Sequence, residues 1–246
     1  MRYAVISDIH SNFEALDAVL NYLDSNPVDK IISCGDITGY GPDPGPCIEK
    51  VKGLPGFSSV IGNHDAAVAG KIDVSNFNID AQAAIKLNAE RLAGEDKSWL
   101  ASLKMSIKKD NLVFLHGSPR DPLHEYLYLL EKMKENIKYF RGDICFVGHT
   151  HQPLIYEYVS DKKDNFFEVR KDVEVFNFEP GARYIVNAGS VGQPRDSDSR
   201  ASYFILDEKT GEAEIIRIKY DTGSAAEKIR DEGLPGFLAE RLFEGA

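Results

Sequence analysis

The chain has 246 residues, enough to bury a sizeable core, and its 43% hydrophobic and 28% charged content is ordinary for a globular enzyme. A formal net charge of −10 argues against gripping nucleic acid by phosphate neutralisation, so no stable nucleic-acid complex is expected. No apolar run approaches the roughly 18 residues of a membrane span, and no signal-type segment opens the sequence. The cysteines Cys34, Cys47 and Cys145 form no Cys-x-x-Cys pair, so buried free thiols and a cytoplasmic location are expected.

In chain order, Arg2 to Ser7 reads as a strand that ends at Asp8. Ser11 or Asn12 caps a helix with an apolar stripe of Phe13, Leu16, Leu20 and Leu23, and Asn26-Pro27 stops it. Lys30 to Cys34 is a second strand leading into Gly35-Asp36, which makes the opening a βαβ unit with a parallel pair. A Gly/Pro-rich loop from Gly39 to Pro46 precedes a short helix carrying Cys47, Ile48 and Val51. Phe57 to Ile61 is the third strand and runs directly into Gly62-Asn63-His64-Asp65. Residues 78–104 read as helix, with Ile79, Ala83 and Leu87 on one face and Gly94 interrupting. Leu112 to Leu115 is a fourth strand, Glu125 to Tyr139 a helix, and Ile144 to Val147 a fifth strand.

From Leu154 strands dominate: Leu154–Val159, Glu174–Phe178, Tyr184–Asn187, Ser202–Leu206 and Glu214–Tyr220. The charged segment Ser160–Asp172 reads as a solvated hairpin arm, and a helix from Gly233 to Phe243 closes the chain. No repeat or linker divides it. The expectation is one α/β domain over residues 1–246, with two sheets packed face to face and helices outside.

Five of the six histidines, His10, His64, His116, His149 and His151, fall at strand ends beside Gly, Asp or Asn, and only His124 does not. A single histidine is as readily a satisfied core residue, but five at the carboxyl edge of α/β strands mark a ligand site. Asp8-x-His10 and His149-x-His151 share an i, i+2 spacing that, past a strand end, turns two side chains toward one ion. Imidazoles, carboxylates and the Asn63 amide oxygen form a mixed set suited to Mn, Fe, Zn or Ni rather than to a calcium cage. Asp8, His10, Asp36, Asn63, His116, His149 and His151 are too many for one ion with an open position. Two ions about 3.5–4 Å apart, bridged by one carboxylate, accommodate them. Two carboxylates and a hydroxide bring about −3 against +4, so roughly +1 is left to face a phosphate despite the acidic chain.

In their order and context, Asp8-x-His10, Gly35-Asp36, Gly62-Asn63-His64-Asp65, His116-Gly117 and Gly148-His149-x-His151 resemble the calcineurin-like metallophosphoesterases. The resemblance implies a four-layer α-β-β-α sandwich of two mixed sheets. It also implies two divalent ions, manganese first, with iron, zinc, nickel or magnesium as alternatives. Asp8, His10, Asp36 and His151 would hold one, and Asp36, Asn63, His116 and His149 the other. His64 would face the substrate and protonate the leaving group, with Asp65 orienting its ring, while a hydroxide bridging the ions attacks phosphorus. The sequence lacks the Asp-Arg-Gly block and the arginine before Gly-Asn-His that mark Ser/Thr protein phosphatases. Tyr40-Gly-Pro-Asp-Pro, His116-Gly-Ser-Pro-Arg-Asp-Pro and Asn187-Ala-Gly-Ser-Val-Gly-Gln-Pro-Arg look instead like a bacterial and archaeal branch that includes phosphodiesterases and enzymes similar to diadenosine polyphosphate hydrolases.

The substrate implied is a small phosphate ester or nucleotide, cleaved at a phosphodiester or phosphoanhydride bond. A phosphomonoesterase and a silent metal-binding scaffold are the alternatives. Selectivity is assigned to loops 38–48, 119–128 and 190–200. There Arg120 and Arg195 either clamp a second phosphate or form ordinary salt bridges. Asn12 either touches phosphate or caps its helix, and Tyr40 either stacks on a base or packs its loop. Ser190 and Gln193 are placed at the rim.

Overall fold

The computed structural model describes residues 1–160, 163–168 and 173–246. The opening strand β1 (Arg2–Ile6), helix α1 (Phe13–Ser25) and strand β2 (Lys30–Ser33) form the expected βαβ unit, with β1 and β2 parallel. Helix α2 (Pro44–Lys52) and strand β3 (Phe57–Ser59) follow, with β3 parallel to β2. After α3 (Asn63–Val68), α4 (Ile79–Arg91) and α5 (Gly94–Ser102), the second sheet begins with β4 (Ser106–Lys109) and β5 (Leu112–Leu115). Helix α6 (Leu130–Asn136), β6 (Ile144–Val147), β7 (Leu154–Ser160), β8 (Lys163–Glu168), β9 (Val173–Asn177), β10 (Arg183–Asn187), β11 (Ala201–Asp207), β12 (Glu212–Ile218), α7 (Thr222–Asp231) and α8 (Gly236–Glu244) complete the chain.

One sheet has the order β3-β2-β1-β11-β12-β9 and the other β4-β5-β6-β10-β7-β8. Each contains a parallel triplet, β3-β2-β1 and β5-β6-β10, extended by antiparallel strands. Alternation along each strand divides its side chains between two environments. Tyr3 and Val5 of β1, Phe114 of β5, Phe146 of β6, Val186 of β10 and Phe204 of β11 fill the space between the sheets. Ala4 and Ile6 face the helices α1, α2, α7 and α8, while Val113, Cys145 and Ile185 face the thinner cover of α6 and its following turn. Strands buried on both faces need continuous apolar sequence, which is why β1, β5 and β6 carry no polar alternation. The expected mixed α/β sandwich is therefore the observed one. No helix among the described residues is long and apolar enough to cross a membrane, and Cys34, Cys47 and Cys145 are buried free thiols.

Several boundaries differ from expectation for identifiable reasons. Residues 78–104 are interrupted at Leu92 and Ala93, while Gly94 itself opens α5, and the buried face of α4 is Ala81, Ala84, Ile85 and Asn88; Ile79 is 80% exposed. The helix expected over Glu125–Tyr139 contracts to α6 because the Glu125 carboxylate is used outside it, accepting from Ser118 Oγ at 2.6 Å and Asn136 Nδ2 at 3.0 Å. Helix α7 was not expected; Asp221 caps it through Ser224 N–H at 2.9 Å, and Gly233, at φ +68°, ends the segment before α8. The arm expected at Ser160–Asp172 contributes β8, paired antiparallel with β7; residues 161–162 and 169–172 lie outside the described residues.

Phe146 is fully buried between the sheets, with its ring 5.2 Å from Phe114 and 5.4 Å from Phe204. Phe146→Ala is expected to cost about 3–5 kcal/mol, read as a lowered urea midpoint. A change below about 1 kcal/mol would mean that the inter-sheet layer is not the main core.

Candidate metal centre

The two parallel triplets deliver their carboxyl ends to the same place. Asp8 and His10 follow β1, Asp36 follows β2, and Asn63 and His64 lie just past β3. From the other sheet, His116 follows β5, and His149 and His151 follow β6. Asp8, His10, Asp36, His149 and His151 all have positive φ, between 50° and 68°. This left-handed backbone costs a non-glycine residue about 1–3 kcal/mol, and it folds each i, i+2 pair so that both side chains turn inward. Glycines make room for the carboxylates. A Cβ on Gly62 would run into Asp36 Oδ1, and one on Gly148 into Ser7 Oγ and Asp8 Oδ2.

Asp8, His10 and His151 form one group able to hold a metal ion, and Asp36, His116 and His149 another; the ligand atoms within each group lie within 4.8 Å of one another. His10, Asp36 and His64 form a third that shares members with both. Asn63 Oδ1 joins the second group, 2.9 Å from His116 Nε2. All of these side chains are buried.

Proton counting tests whether the groups fit a cation. Burial, then His151, holds His10 well below the ordinary imidazole value; burial, then Arg195, lowers His151, so both rings are neutral at pH 7. Two neutral rings carry two N–H protons, but three contacts between acceptors each call for one. They are His10 Nδ1 to the Thr38 carbonyl at 3.2 Å, His10 Nε2 to His151 Nε2 at 3.0 Å, and His151 Nδ1 to the Gln193 carbonyl at 2.6 Å. With protons facing the carbonyls, two lone pairs meet between the Nε2 atoms, beside Asp8 Oδ1 at 3.3 Å from His151. A cation there turns repulsion into coordination.

The second group has the same design. His116 Nδ1 lies 2.9 Å from the Cys34 carbonyl and His149 Nε2 3.3 Å from the His124 carbonyl, leaving their inner nitrogens 3.0 Å apart. Asp36 Oδ2 is 3.3 Å from His116 Nε2 and 3.7 Å from His10 Nε2, so this one carboxylate faces both groups. Burial presses His116 down but Asp36 pulls it up to about 9, so in the metal-free chain a proton occupies the inner nitrogen. Burial also opposes ionisation of Asp8 and Asp36, yet both stay below the usual carboxylate range, through His151 at Asp8 and His116 at Asp36.

His64 is 4% exposed and its Nδ1 has no hydrogen-bond partner. Burial is the main cause of its fall to about 4; Asp36 opposes the fall and Arg195 assists it. The expectation that Asp65 orients this ring is not met. Its carboxylate accepts from Ile37 N–H, Thr38 N–H and hydroxyl, and Gly62 N–H, at 2.9–3.2 Å. Asp65 thus ties the start of α3 to the loop after β2, and burial with the Asp36 charge lifts it to about 7.

Of the rim residues, Tyr40 and Arg195 are brought to the centre. Tyr40 lies 4.7 Å from the His10 ring and 4.6 Å from the His64 ring, and the Arg195 guanidinium sits over it at 5.4 Å. The others serve structure. Asn12 accepts from Ala15 N–H at 3.1 Å as the cap of α1 and donates to the Gly192 carbonyl at 2.8 Å. Ser190 is fully buried and donates to the Asp8 carbonyl at 2.8 Å, and the Gln193 carbonyl seats His151. Arg120 is bound into a network with Glu125 and Glu135.

Sequence reading missed Tyr126, whose ring stacks on His149 at 3.7 Å, and Tyr128, stacked on Tyr126 at 5.5 Å. It also missed Phe77, at 5.1 Å from the His64 ring, and Arg241 of α8, over Tyr40 at 5.9 Å. Asn88, which receives Ser11 Oγ at 2.6 Å and Gly39 N–H at 3.0 Å, was detectable as a polar residue on the buried stripe of a helix. A cavity of about 260 Å³, lined by Tyr40, Asn63, His64, Phe77, Tyr126 and His149 among others, opens onto the centre.

The model of the calcineurin-like phosphoesterase superfamily domain matches residues 1–211. An uncharacterized protein of Methanocaldococcus jannaschii is 40% identical over 98% of this chain and 97% of its own. A metallophosphoesterase from Sphaerobacter thermophilus is 39% identical, with a TM-score of 0.88 over 100% of both chains. A hypothetical protein from Pyrococcus horikoshii shares the fold at 21% identity, with a TM-score of 0.77 over 100% of this chain and 98% of that one.

The raised His116 predicts a pH signature. A folded-state value near 9 against an ordinary 6.5 contributes stability present below 6.5 and lost as pH rises through 9. The metal-free chain should therefore lose stability between about pH 7 and 9, and loading a divalent ion at pH 7.5 should release close to one proton and abolish that loss. Calorimetry in two buffers of different ionisation enthalpy measures the release; no proton released would remove His116 from the ion's surroundings.

Proposed function

The chain belongs to the calcineurin-like phosphoesterase superfamily, and from that premise we propose that it is a single-domain, two-metal phosphodiesterase. Its substrates are small phosphodiesters or nucleotide phosphoanhydrides. The observation that carries this reading is the convergence of four imidazoles and two carboxylates into two groups that Asp36 faces in common. Asp8, His10, Asp36 and His151 would hold one divalent ion, and Asp36, Asn63, His116 and His149 the other. Manganese is the first choice, with iron, zinc, nickel or magnesium able to fill the same mixed donor set. Such ions, when bound, polarise phosphoryl oxygens and bring the pKa of water toward neutrality.

The chain's own residues supply the rest. The outer nitrogens of the four histidines are committed to backbone carbonyls, so their inner nitrogens are fixed in direction before any ligand arrives. Asp8 and Asp36 are only two carboxylates, so with two divalent ions bound the site would be locally positive in a chain of net charge −10 and would attract phosphate. His64 is neutral at pH 7 in the free protein. The negative charge of a phosphate beside it raises its affinity for a proton, which it then passes to the leaving oxygen. The buried free cysteines fit a cytoplasmic protein.

His64→Asn is expected to retain both ions by metal analysis and to lose about 10²–10⁴-fold in turnover of a bis-aryl phosphodiester. The assay reloads metal-stripped protein with Mn, Mg, Zn, Ni or Fe(II). Unchanged turnover in His64→Asn would sink the acid role. Two bound ions with no turnover of diesters, aryl monoesters, cyclic nucleotides or dinucleoside polyphosphates would favour a scaffold.

A further inference from the structure

Tyr40 lies against the centre and carries two guanidinium groups, neither of them paired with an Asp or Glu among the described residues. Its ring lies 4.7 Å from that of His10 and 4.6 Å from that of His64, and Arg195 Cζ lies over it at 5.4 Å and Arg241 Cζ at 5.9 Å. Arg195 comes from the loop between β10 and β11 and Arg241 from α8, so two distant segments bring their cations to one ring.

Among the described residues, no Asp or Glu carboxylate forms an ion pair with either group. Arg195 donates to Gln193 Oε1 at 2.9 Å and bonds to Tyr128, while its Nε is buried without a hydrogen-bond partner. Arg241 Nε donates to a main-chain oxygen of Ala246, the last residue of the sequence. Of the nearby acids, Asp196 pairs with Arg217 and Asp198 with Arg200, while the charge of Asp80 is felt at Arg241 without forming an ion pair. The guanidiniums are close enough to repel: burial first, and Arg195 second, bring Arg241 down to about 10. Both sit beside a site suited to divalent cations, and the Arg195 charge is felt at His10, His64 and His151.

Two costs coincide here, mutual repulsion and an unmet buried N–H, and bound divalent ions would add a third. An anion between the two arginines relieves all three, through charge-assisted hydrogen bonds to both. A cavity of about 490 Å³, lined by Arg195 though not by Arg241, and by Tyr128, Gln152, Phe166 and the paired Asp196 and Asp198 among others, opens beside Arg195 and has room for the body of a ligand.

We propose that Arg195 and Arg241, over Tyr40, form a subsite for a second phosphate of the substrate. This rests on the phosphodiesterase reading and sharpens it: the preferred substrates carry one phosphate at the histidine–aspartate centre and another further along the same molecule.

The experiment uses the metal-loaded protein and two esters with the same leaving group. They are thymidine 5′-(4-nitrophenyl phosphate) and the same ester bearing a 3′-phosphate. The expected kcat/KM ratio favours the 3′-phosphorylated ester at least tenfold. It should collapse toward one in Arg241→Gln and in Arg195→Gln, and return in part in Arg241→Lys, which keeps the charge and loses the fork. A ratio near one in the native chain, or a ratio that survives both glutamine variants, overturns the subsite. If neither ester is turned over, the reading of these diesters as substrates fails by itself. The same esters are then stable ligands, and the ratio of their dissociation constants by calorimetry decides the subsite with the same expected values.

Discussion

Two carboxylates and four imidazoles are buried together with their inner oxygen and nitrogen atoms facing one another, and most of the molecule around them follows from that. Ionised Asp8 and Asp36 in a dry interior are tolerable only with compensating charge. Backbone donors provide part of it: His149 N–H reaches Asp8 at 3.1 Å and His64 N–H reaches Asp36 at 2.8 Å. The proton on His116 provides more in the metal-free chain, and divalent ions would provide the remainder. The pair His10–His151 has no such proton to share, so its two facing nitrogens are the clearest sign that the arrangement is made for a cation.

Holding those groups together opposes local backbone preference. Left-handed conformation at five aspartate and histidine positions and glycines at 62 and 148 are unfavourable locally, and the surrounding layers impose them. The rigid part is the inter-sheet core of Tyr3, Val5, Phe114, Phe146, Val186 and Phe204, which fixes the two parallel triplets with their carboxyl ends adjacent. Loops emerging from those ends cannot relax independently. Asp65, Asn88, Asn12 and Ser190 then bind them to one another, and each of these four proves to be a brace for the site.

Much of this was legible in the chain. Continuous apolar runs closing on Gly, Asp, Asn or His gave the strand ends, because a doubly buried strand has little freedom in composition and its exit must be polar. The i, i+2 pairs were readable for the same reason. Roles that depend on what a polar group meets were not. Asp65 is adjacent to His64 in sequence, yet its four donors come from the loop after β2 and from Gly62. Arg120 and Arg195 occupy similar Gly/Pro-rich contexts, but one finds Glu125 and Glu135 and the other finds Tyr40.

By itself the sequence determined the alternation of buried strands and helices, the two sheets, and the set of aspartate, asparagine and histidine side chains at their carboxyl edges. Periodicity and donor chemistry are local properties, and a linear pattern carries them. Tertiary structure alone decided which nitrogen of each histidine faces a carbonyl and which faces inward, that Asp36 looks toward both groups, and that Tyr126 lies on His149. It also decided that Arg241, from the last helix, shares a ring with Arg195. Those relations join residues on different layers, and only the packing of one sheet against the other sets the distances between them.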